Sequence, residues 1–405
     1  MLSWYQCGGA RMAANVVAFV GENENGILAD FSRAVMEPLA LMGLRGHVID
    51  LHAPDWADAL QPIAREGIAF GWGSFGAGAM LNVGGDNLWE MLQTPFISVM
   101  ADTPCQLPKN HHVASRWVAN GYMFRDWLDV QRRLIRSPQI SALLPHGVLP
   151  NLQRDMIPWE RRPLRMTFLK TGEDPARRRA GWEGWPGLLR AVLHDAAGEA
   201  ARRPTGDVTG LVIEAALARG LHLEERLELL FAVTLEIDLH TRALRANAFA
   251  RALLPLEATI IGRGWDHLDT AGARARLLPA MPAAELPGLY ARTQFLVSTN
   301  PNFCHGVHER IPNGFAARAC VVSDDNDFTR ERFAALPSYF GLDWTAPDLT
   351  DRMAAILRDG ADRGPMTDAA LAVAEHDFSP ERFLRGMSDL AELVRAGNRL
   401  ERFPA

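Results

Sequence analysis

Apolar positions along this chain fall into short runs separated by stretches of helical spacing, and the two alternate from the start. "VVAFVG" (16–21) is rich in β-branched residues and predicts a buried strand, with Gly26 relaxing the loop behind it. "ILADFSRAVMEPLALMG" carries its apolar residues at helical spacing and stops at Gly43, and "HVIDL" (47–51) reads as a second strand. "IAFGWG" (68–73) and "FISVMAD" (96–102) predict further strands, with helical stretches around residues 85–93 and 125–135. "ALLPHGVLP" (142–150) closes this half. Strands alternating with helices imply a parallel sheet covered on both faces.

After the Pro- and Arg-rich stretch "MIPWERRPLR" the pattern restarts. "MTFLKTG" (166–172) predicts a strand and turn, residues 186–254 read as mostly helical, and "ATIIGRGW" (258–265) is a strand ending in glycines. "LPGLYARTQFLVSTN" supplies a short helix and a strand, and "ACVVSD" (319–324) another strand before helices to the end. The expected fold class is therefore α/β, with two βα sheets joined near residue 160. Ligands of such sheets sit beyond the carboxyl ends of the strands, so two sheets facing each other put the site in the cleft between them.

Composition agrees with two folded domains. The chain has 405 residues, 48% hydrophobic and 22% charged, more than one ordinary core accommodates. A net charge of −6 gives no reason to expect nucleic acid or an anionic membrane as partner. No apolar run reaches the roughly 18 residues of a transmembrane span. The first residues lack a basic region followed by an apolar one, so no signal peptide is read and a cytoplasmic location is expected; Met12 is a candidate natural start. Cys7, Cys105, Cys304 and Cys320 are scattered and form no C-x-x-C pair, which fits reduced thiols. The basic residues are almost all arginine, with only Lys109 and Lys170 as lysines.

Several motifs carry chemistry. "GWGSFG" (71–76) matches G-x-G-x-x-G but follows the third strand and precedes a poor helix start, so it reads as a cleft-lining loop rather than a dinucleotide site. His111-His112 and His305-x-x-His308 lack a third ligand, and no metal site is expected. Glu22 and Glu24 follow the first strand and Asp102 ends "FISVMAD", where a carboxylate could accept a proton from an alcohol; solvated or capping acids are the plainer alternative. Lys170-Thr171-Gly172 could reach a phosphate from the end of the second half's first strand. Gly264 and Trp265 end "GRGW", where an indole could pack a ring or simply fill the core. His308, Glu309 and Arg310 open a predicted helix, whose free N–H groups would add to the side-chain donors for an anion.

These residues carry a family resemblance. Gly262-Arg263-Gly264-Trp265, then "LPGLYARTQFLVST" (286–299), then His308-Glu309-Arg310 through Asp324 resemble the donor-binding domain of GT-B glycosyltransferases, most of all the bacterial group related to the spore maturation protein CgeB. "NLWEMLQTPFISVMADTP" and "LLPHGV" are similar to segments of the same group's first domain. The resemblance implies two Rossmann-like domains: an acceptor-side domain over 1–160, with a terminal helix (about 380–405) crossing back to it, and a donor-binding domain over 161–379. It implies transfer of a sugar from a nucleoside-diphosphate sugar to a glycan, protein or small-molecule acceptor, without metal or cofactor. Lys170, Gly172, Gly264, Trp265, His308, Glu309, Arg310 and Asn313 would then line the donor side. Asp102 or Glu22 would serve as base, with Glu24 and His146 on the acceptor side or in the cleft. The chain departs from the pattern where retaining enzymes often carry Glu-x7-Glu: His305 and Asn313 occupy those positions. Many relatives also have Gly where this chain has Arg318. The departures leave open a non-catalytic nucleotide- or partner-binding homologue; an NAD-dependent oxidoreductase is the rival from another enzyme class.

Overall fold

A computed structural model of the chain describes residues 15–21, 26–149, 152, 156–203, 206–358 and 363–400. Twelve of its strands form two six-stranded sheets, both parallel throughout, and Asn82–Val83 pairs with Asp86–Asn87 in a small antiparallel ribbon. The first contains β1 (Asn15–Val20), β2 (Arg45–Asp50), β3 (Ile68–Ser74), β4 (Phe96–Met100), β5 (Val118–Tyr122) and β6 (Ser141–Leu143), in the order β2-β1-β3-β4-β5-β6. The second contains β7 (Leu164–Leu169), β8 (Ala258–Ile261), β9 (Arg276–Leu278), β10 (Thr293–Ser298), β11 (Cys320–Asp324) and β12 (Tyr339–Leu342), in the order β9-β8-β7-β10-β11-β12. Strand order therefore reverses between β1 and β3 in the first sheet and between β7 and β10 in the second. Loops diverge to opposite faces at such points and leave a crevice.

Burial on both faces explains the continuous apolar runs. Every residue of β1 and of β10 is buried. The edge strands β6, β9 and β12 are three or four residues long. They and β5 (Val-Ala-Asn-Gly-Tyr) lack the apolar, β-branched run that marks β4 and β8, strands of similar length, which is why the sequence pattern did not reveal them as strands.

Two helical features tie the halves together. The terminal helix Pro380–Leu400 buries Phe383, Leu384, Met387, Leu390, Ala391 and Val394 in the core of the first sheet. The predicted helical stretch between β7 and β8 resolves into Gly187–Ala200, Val208–Leu217 and the 27-residue helix Leu227–Leu253. Its apolar side packs with Cys105, Val130 and Leu134 of the first half, so the layer is a shared core between the two sheets.

Candidate functional site

The carboxyl ends of both sheets open onto one cleft of about 550 Å³. Lys170 follows β7, His308, Glu309 and Arg310 follow β10, Asp102 follows β4, and His146 follows β6; all six line the cleft. The pattern of strand ends thus brings together residues more than 200 positions apart. Glu22 and Glu24 lie outside the described residues.

Arg242, also in the cleft wall, was not visible in the sequence. It sits on the 27-residue helix with Asp238 and Arg245, at i, i+4 and i+7, a polar stripe on an otherwise largely apolar helix. That stripe was the available signal. Arg242 reaches across the cleft to Asp102 (Nη2–Oδ1 3.6 Å) and back to Asp238 (Nε–Oδ2 3.4 Å). Beneath it, Arg245 pairs with Asp324 (3.3 Å) at 2% and 1% side-chain exposure. Arg245 also donates to Asn302 Oδ1 (2.8 Å), and Asn302 in turn donates to Asp238 (2.9 Å). Asn300 donates its backbone N–H to Asp324 (2.7 Å) and accepts from the His308 N–H (2.9 Å). A buried ionic network therefore fixes the loop that presents His308, Glu309 and Arg310.

These three residues form a relay. His308 Nδ1 lies 2.8 Å from Glu309 Oε2, and its Nε2 lies 3.3 Å from Arg310 Nη1. The Arg310 backbone N–H also points at Nδ1 from 3.3 Å. The shorter contact to the charged carboxylate, and the guanidinium at Nε2 that only donates, nevertheless place the proton on Nδ1 of a neutral ring. Burial lowers the His308 pKa to about 4, in keeping with that assignment. Burial pushes the Glu309 carboxyl up, but His308 and Arg310 outweigh it and hold the group below its ordinary value. Burial, followed by the repulsion of Arg310 and Arg242, lowers the Lys170 pKa to about 7. Burial, opposed by Arg242, raises the pKa of Asp102. Among the described residues, neither Lys170 nor Arg310 makes an ion pair with a carboxylate. Positive charge is concentrated at the end of the second sheet, with an acid of raised pKa opposite.

The helix after this loop, Arg310–Ala316, is seven residues long and has no side-chain cap. So short a helix adds little dipole, and the side-chain cations dominate. Its close packing follows the small residues: a Cβ on Gly314 would meet Val321 Cγ2 at 2.7 Å and Leu296 Cδ2 at 2.9 Å.

The glycine turns act differently from a ligand-facing loop. Trp265 is 4% exposed, belongs to the core and donates its indole N–H to the Lys170 carbonyl (3.0 Å). A Cβ on Gly172 would stand 2.4 Å from the Trp265 ring, and one on Gly264 (φ 81°) 2.2 Å from the Gly172 carbonyl. Gly172, Gly264 and Trp265 therefore lock the turns after β7 and β8 together and support Lys170 from behind. Gly172 and Gly264 border a second depression with Arg178, whose charge is taken by Glu173 and Glu236.

His146 and Asn313 join the two halves. His146 donates Nε2–H to the Val307 carbonyl (2.9 Å), and burial lowers its pKa. Asn313, 2% exposed, accepts the Leu149 N–H (2.8 Å). Asp126 accepts the N–H groups of Cys304 (2.9 Å) and His305 (2.8 Å), and the His305 ring lies 3.5 Å away. The Phe124 and Phe303 rings stack beside this contact at 4.3 Å. The two positions where a Glu-x7-Glu pair was considered thus make contacts between the halves. His305 and His308 point to different partners, and no cluster of three or more metal-ligating side chains occurs among the described residues.

The "GWGSFG" segment ends β3 and continues as turns rather than a helix. Within it Phe75 is a non-glycine residue at φ 55°. Its N–H donates to Val99 (2.7 Å) and its carbonyl accepts from the Asn110 side chain (2.6 Å), while it lines the cleft.

No protein-family model matches the chain, and no curated protein matches it in sequence. Solved structures do match along nearly its whole length. An α-glucosyltransferase in complex with UDP-glucose and DNA containing an abasic site has a TM-score of 0.55 at 7% identity, covering 94% of this chain and 100% of that one. Sucrose-phosphate synthase from Thermosynechococcus elongatus gives 0.51 at 12% identity, with 95% and 100% covered. HepE of Anabaena in complex with UDP-glucose gives 0.50 at 10%, with 94% and 99% covered. At such identities the likeness concerns the fold: two Rossmann-like parallel-sheet domains facing across a cleft, the GT-B architecture.

Proposed function

We propose that this chain is a metal-independent glycosyltransferase that takes a sugar from a nucleoside-diphosphate sugar. The observation that carries the proposal is the convergence of Lys170, Arg242 and Arg310 at the crevice of the second sheet, opposite Asp102. Asp102 and Asp238 already draw on the charge of Arg242, and Glu309 adds a negative charge. Lys170 and Arg310, by contrast, have no carboxylate ion pair among the described residues. These two, joined by Arg242 when it leaves Asp102, are the donors a diphosphate would engage. Structures of the same architecture titled as UDP-glucose complexes support the donor class.

In the proposed reaction an acceptor hydroxyl gives its proton to Asp102, and its oxygen bonds to the anomeric carbon of the donor. The bond from that carbon to the phosphate oxygen breaks, and the nucleoside diphosphate leaves with the electron pair. Lys170, Arg242 and Arg310 neutralise the developing charge, which is why no metal is invoked. Burial raises the basicity of Asp102 toward that of a useful base. Because Arg242 pairs with Asp102 in the free protein, a diphosphate that engages Arg242 also releases the base. Membership of the CgeB-related group is part of this reading and rests on the sequence resemblance. A cytoplasmic location is likewise proposed, in keeping with the free thiols of Cys105 and Cys320.

A second reading, a non-catalytic nucleotide- or partner-binding homologue, is favoured by the engagement of His305 and Asn313 in contacts between the domains. Thermal-shift screening of nucleoside diphosphates and nucleotide sugars, followed by a donor-hydrolysis assay on the best binder, separates the two. Stabilisation with hydrolysis supports the transferase. Binding without hydrolysis or transfer supports the second reading, and no stabilisation by any nucleotide overturns both nucleotide readings.

A further inference from the structure

Apolar side chains line the cleft from both domains, Leu286, Pro287 and Tyr290 from the second among them, and the first domain adds the rings of Phe31, Phe75 and Phe124. Leu28, Phe31 and Ala34 of the helix Ile27–Met36 line it together with Phe75, Met123 and Leu149. Asp30 and Arg33 of this helix and Glu37 just after it are the charged side chains brought to the cleft here, and Asp30 and Arg33 satisfy each other at 2.9 Å. Among the described residues, Asp102, Ser74 and His146 are the other polar side chains of the first domain's half of the cleft. Nε2 of His146 is engaged with Val307, and its Nδ1 is buried without a partner among those residues. An oligosaccharide presents a hydroxyl on nearly every ring carbon, and burying these without partners is costly.

Phe75 adds an independent sign. Left-handed backbone is unfavourable for a non-glycine residue and persists where the surroundings enforce it. Here two hydrogen bonds hold the main chain, one to each of its polar groups. A glycine would suit this φ without strain, yet the position carries a ring, only partly buried and facing the cleft.

We infer that this half of the cleft is an apolar slot, with Phe75 as its platform, for an acceptor having a flat or alkyl hydrophobic body and one hydroxyl directed at Asp102. The inference deepens the transferase proposal and rests on it for the word acceptor; the slot itself does not depend on the nucleotide.

The test measures binding of 2-naphthol and of maltotriose by calorimetry, to the wild type and to Phe75→Gly, along with the affinities of UDP, GDP, ADP, CDP and dTDP. Glycine removes the ring at a φ it tolerates, and thermal melting verifies that the variant is folded. The expected result is binding of 2-naphthol but not maltotriose, weakened about tenfold or more in Phe75→Gly, the scale of losing one ring contact, with nucleotide affinity unchanged. Preference for maltotriose, or naphthol binding indifferent to Phe75→Gly, overturns the slot. Naphthol binding as expected with no nucleotide bound leaves the slot standing and removes the transferase reading instead.

Discussion

The two sheets meet the same cleft with different chemistry: of the charged side chains lining it, three of the first half's four are acids and three of the second half's four are bases. The second sheet presents Lys170, Arg242 and Arg310, set on a buried network of Arg245, Asp324, Asn300 and Asn302. The first presents Phe31, Phe75 and Met123 over an aromatic and aliphatic core that includes Trp72, Trp89 and Phe96. Charge has to be held rigidly, because a cation that relaxes toward a neighbouring acid loses the field it offers a ligand. An apolar wall needs only shape. The division assigns anion recognition to one domain and recognition of the hydrophobic partner to the other, and each part can be broken separately.

The most severe break is in the ionic support of the second sheet. Asp324→Ala leaves Arg245 buried without its counter-ion, a change that costs about 3–5 kcal/mol. Denaturant unfolding is expected to show a loss of this size. A loss below about 1 kcal/mol, the level of an exposed pair, would mean that the network is incidental to the domain.

Next is the cationic surface itself. Arg310→Ala is expected to weaken binding of a nucleoside diphosphate by about 1.5–3 kcal/mol, the range for charged hydrogen bonds, with little change in melting temperature. Titration calorimetry reads both the affinity and its enthalpy. Unchanged affinity would move the phosphate site away from the second sheet and dissolve the contrast between the halves.

The sequence was informative about these halves to unequal degrees. Lys170 and the His308-Glu309-Arg310 cluster were legible because each directly follows an apolar run, and a strand's end is local information. Asp102 was legible for the same reason. Arg242 was not, since it lies mid-helix and reaches the cleft through the way a 27-residue helix lies against both domains. Trp265 illustrates the converse: its place after "GRG" suggested a ligand face, but Gly172 and Gly264 admit the indole into the core. Phe75 was hidden because nothing in "GWGSFG" marks its second aromatic as the residue at positive φ. Both sheets were foreseen, yet β5 and the edge strands β6, β9 and β12 were missed, being set by pairing rather than by their own pattern.

A subtler break uses pH. With its pKa near 7, Lys170 loses its charge above neutrality in the free protein, whereas a bound diphosphate keeps it protonated. Affinity is therefore expected to fall as pH rises above 7, by at most about tenfold (about 1.4 kcal/mol) per unit. Stability runs the other way. Between about 7 and the ordinary 10.5 the unfolded chain holds the Lys170 proton and the folded chain does not, so this group makes stability rise with pH. Lys170→Met should flatten both trends and raise the melting temperature at pH 7, at roughly 2 °C for each kcal/mol of relieved burial cost. The first domain's apolar slot contains no such titrating cation, so 2-naphthol binding should stay flat from pH 7 to 8.5. A parallel fall in both affinities would show that the halves are not independent.

The smallest expected effect concerns the seam. Asn313 belongs to the second domain but accepts the Leu149 N–H of the first, and its amide lies beside the Tyr290 hydroxyl. If it works as a joint, Asn313→Ala removes a neutral hydrogen bond and costs about 1 kcal/mol of stability. Nucleotide affinity then stays within about threefold (~0.6 kcal/mol). If the residue instead holds the donor ribose, as a carboxylate does at this position in many retaining enzymes, affinity falls by more than that while stability moves little. Asn313→Asp sharpens the choice, because a carboxylate oxygen can still accept the Leu149 N–H. As a joint it tolerates the exchange; as a ribose holder it gains a stronger acceptor and binds the nucleotide more tightly. Measuring the melting temperature and the nucleotide affinity of both variants decides to which half of the cleft this residue answers.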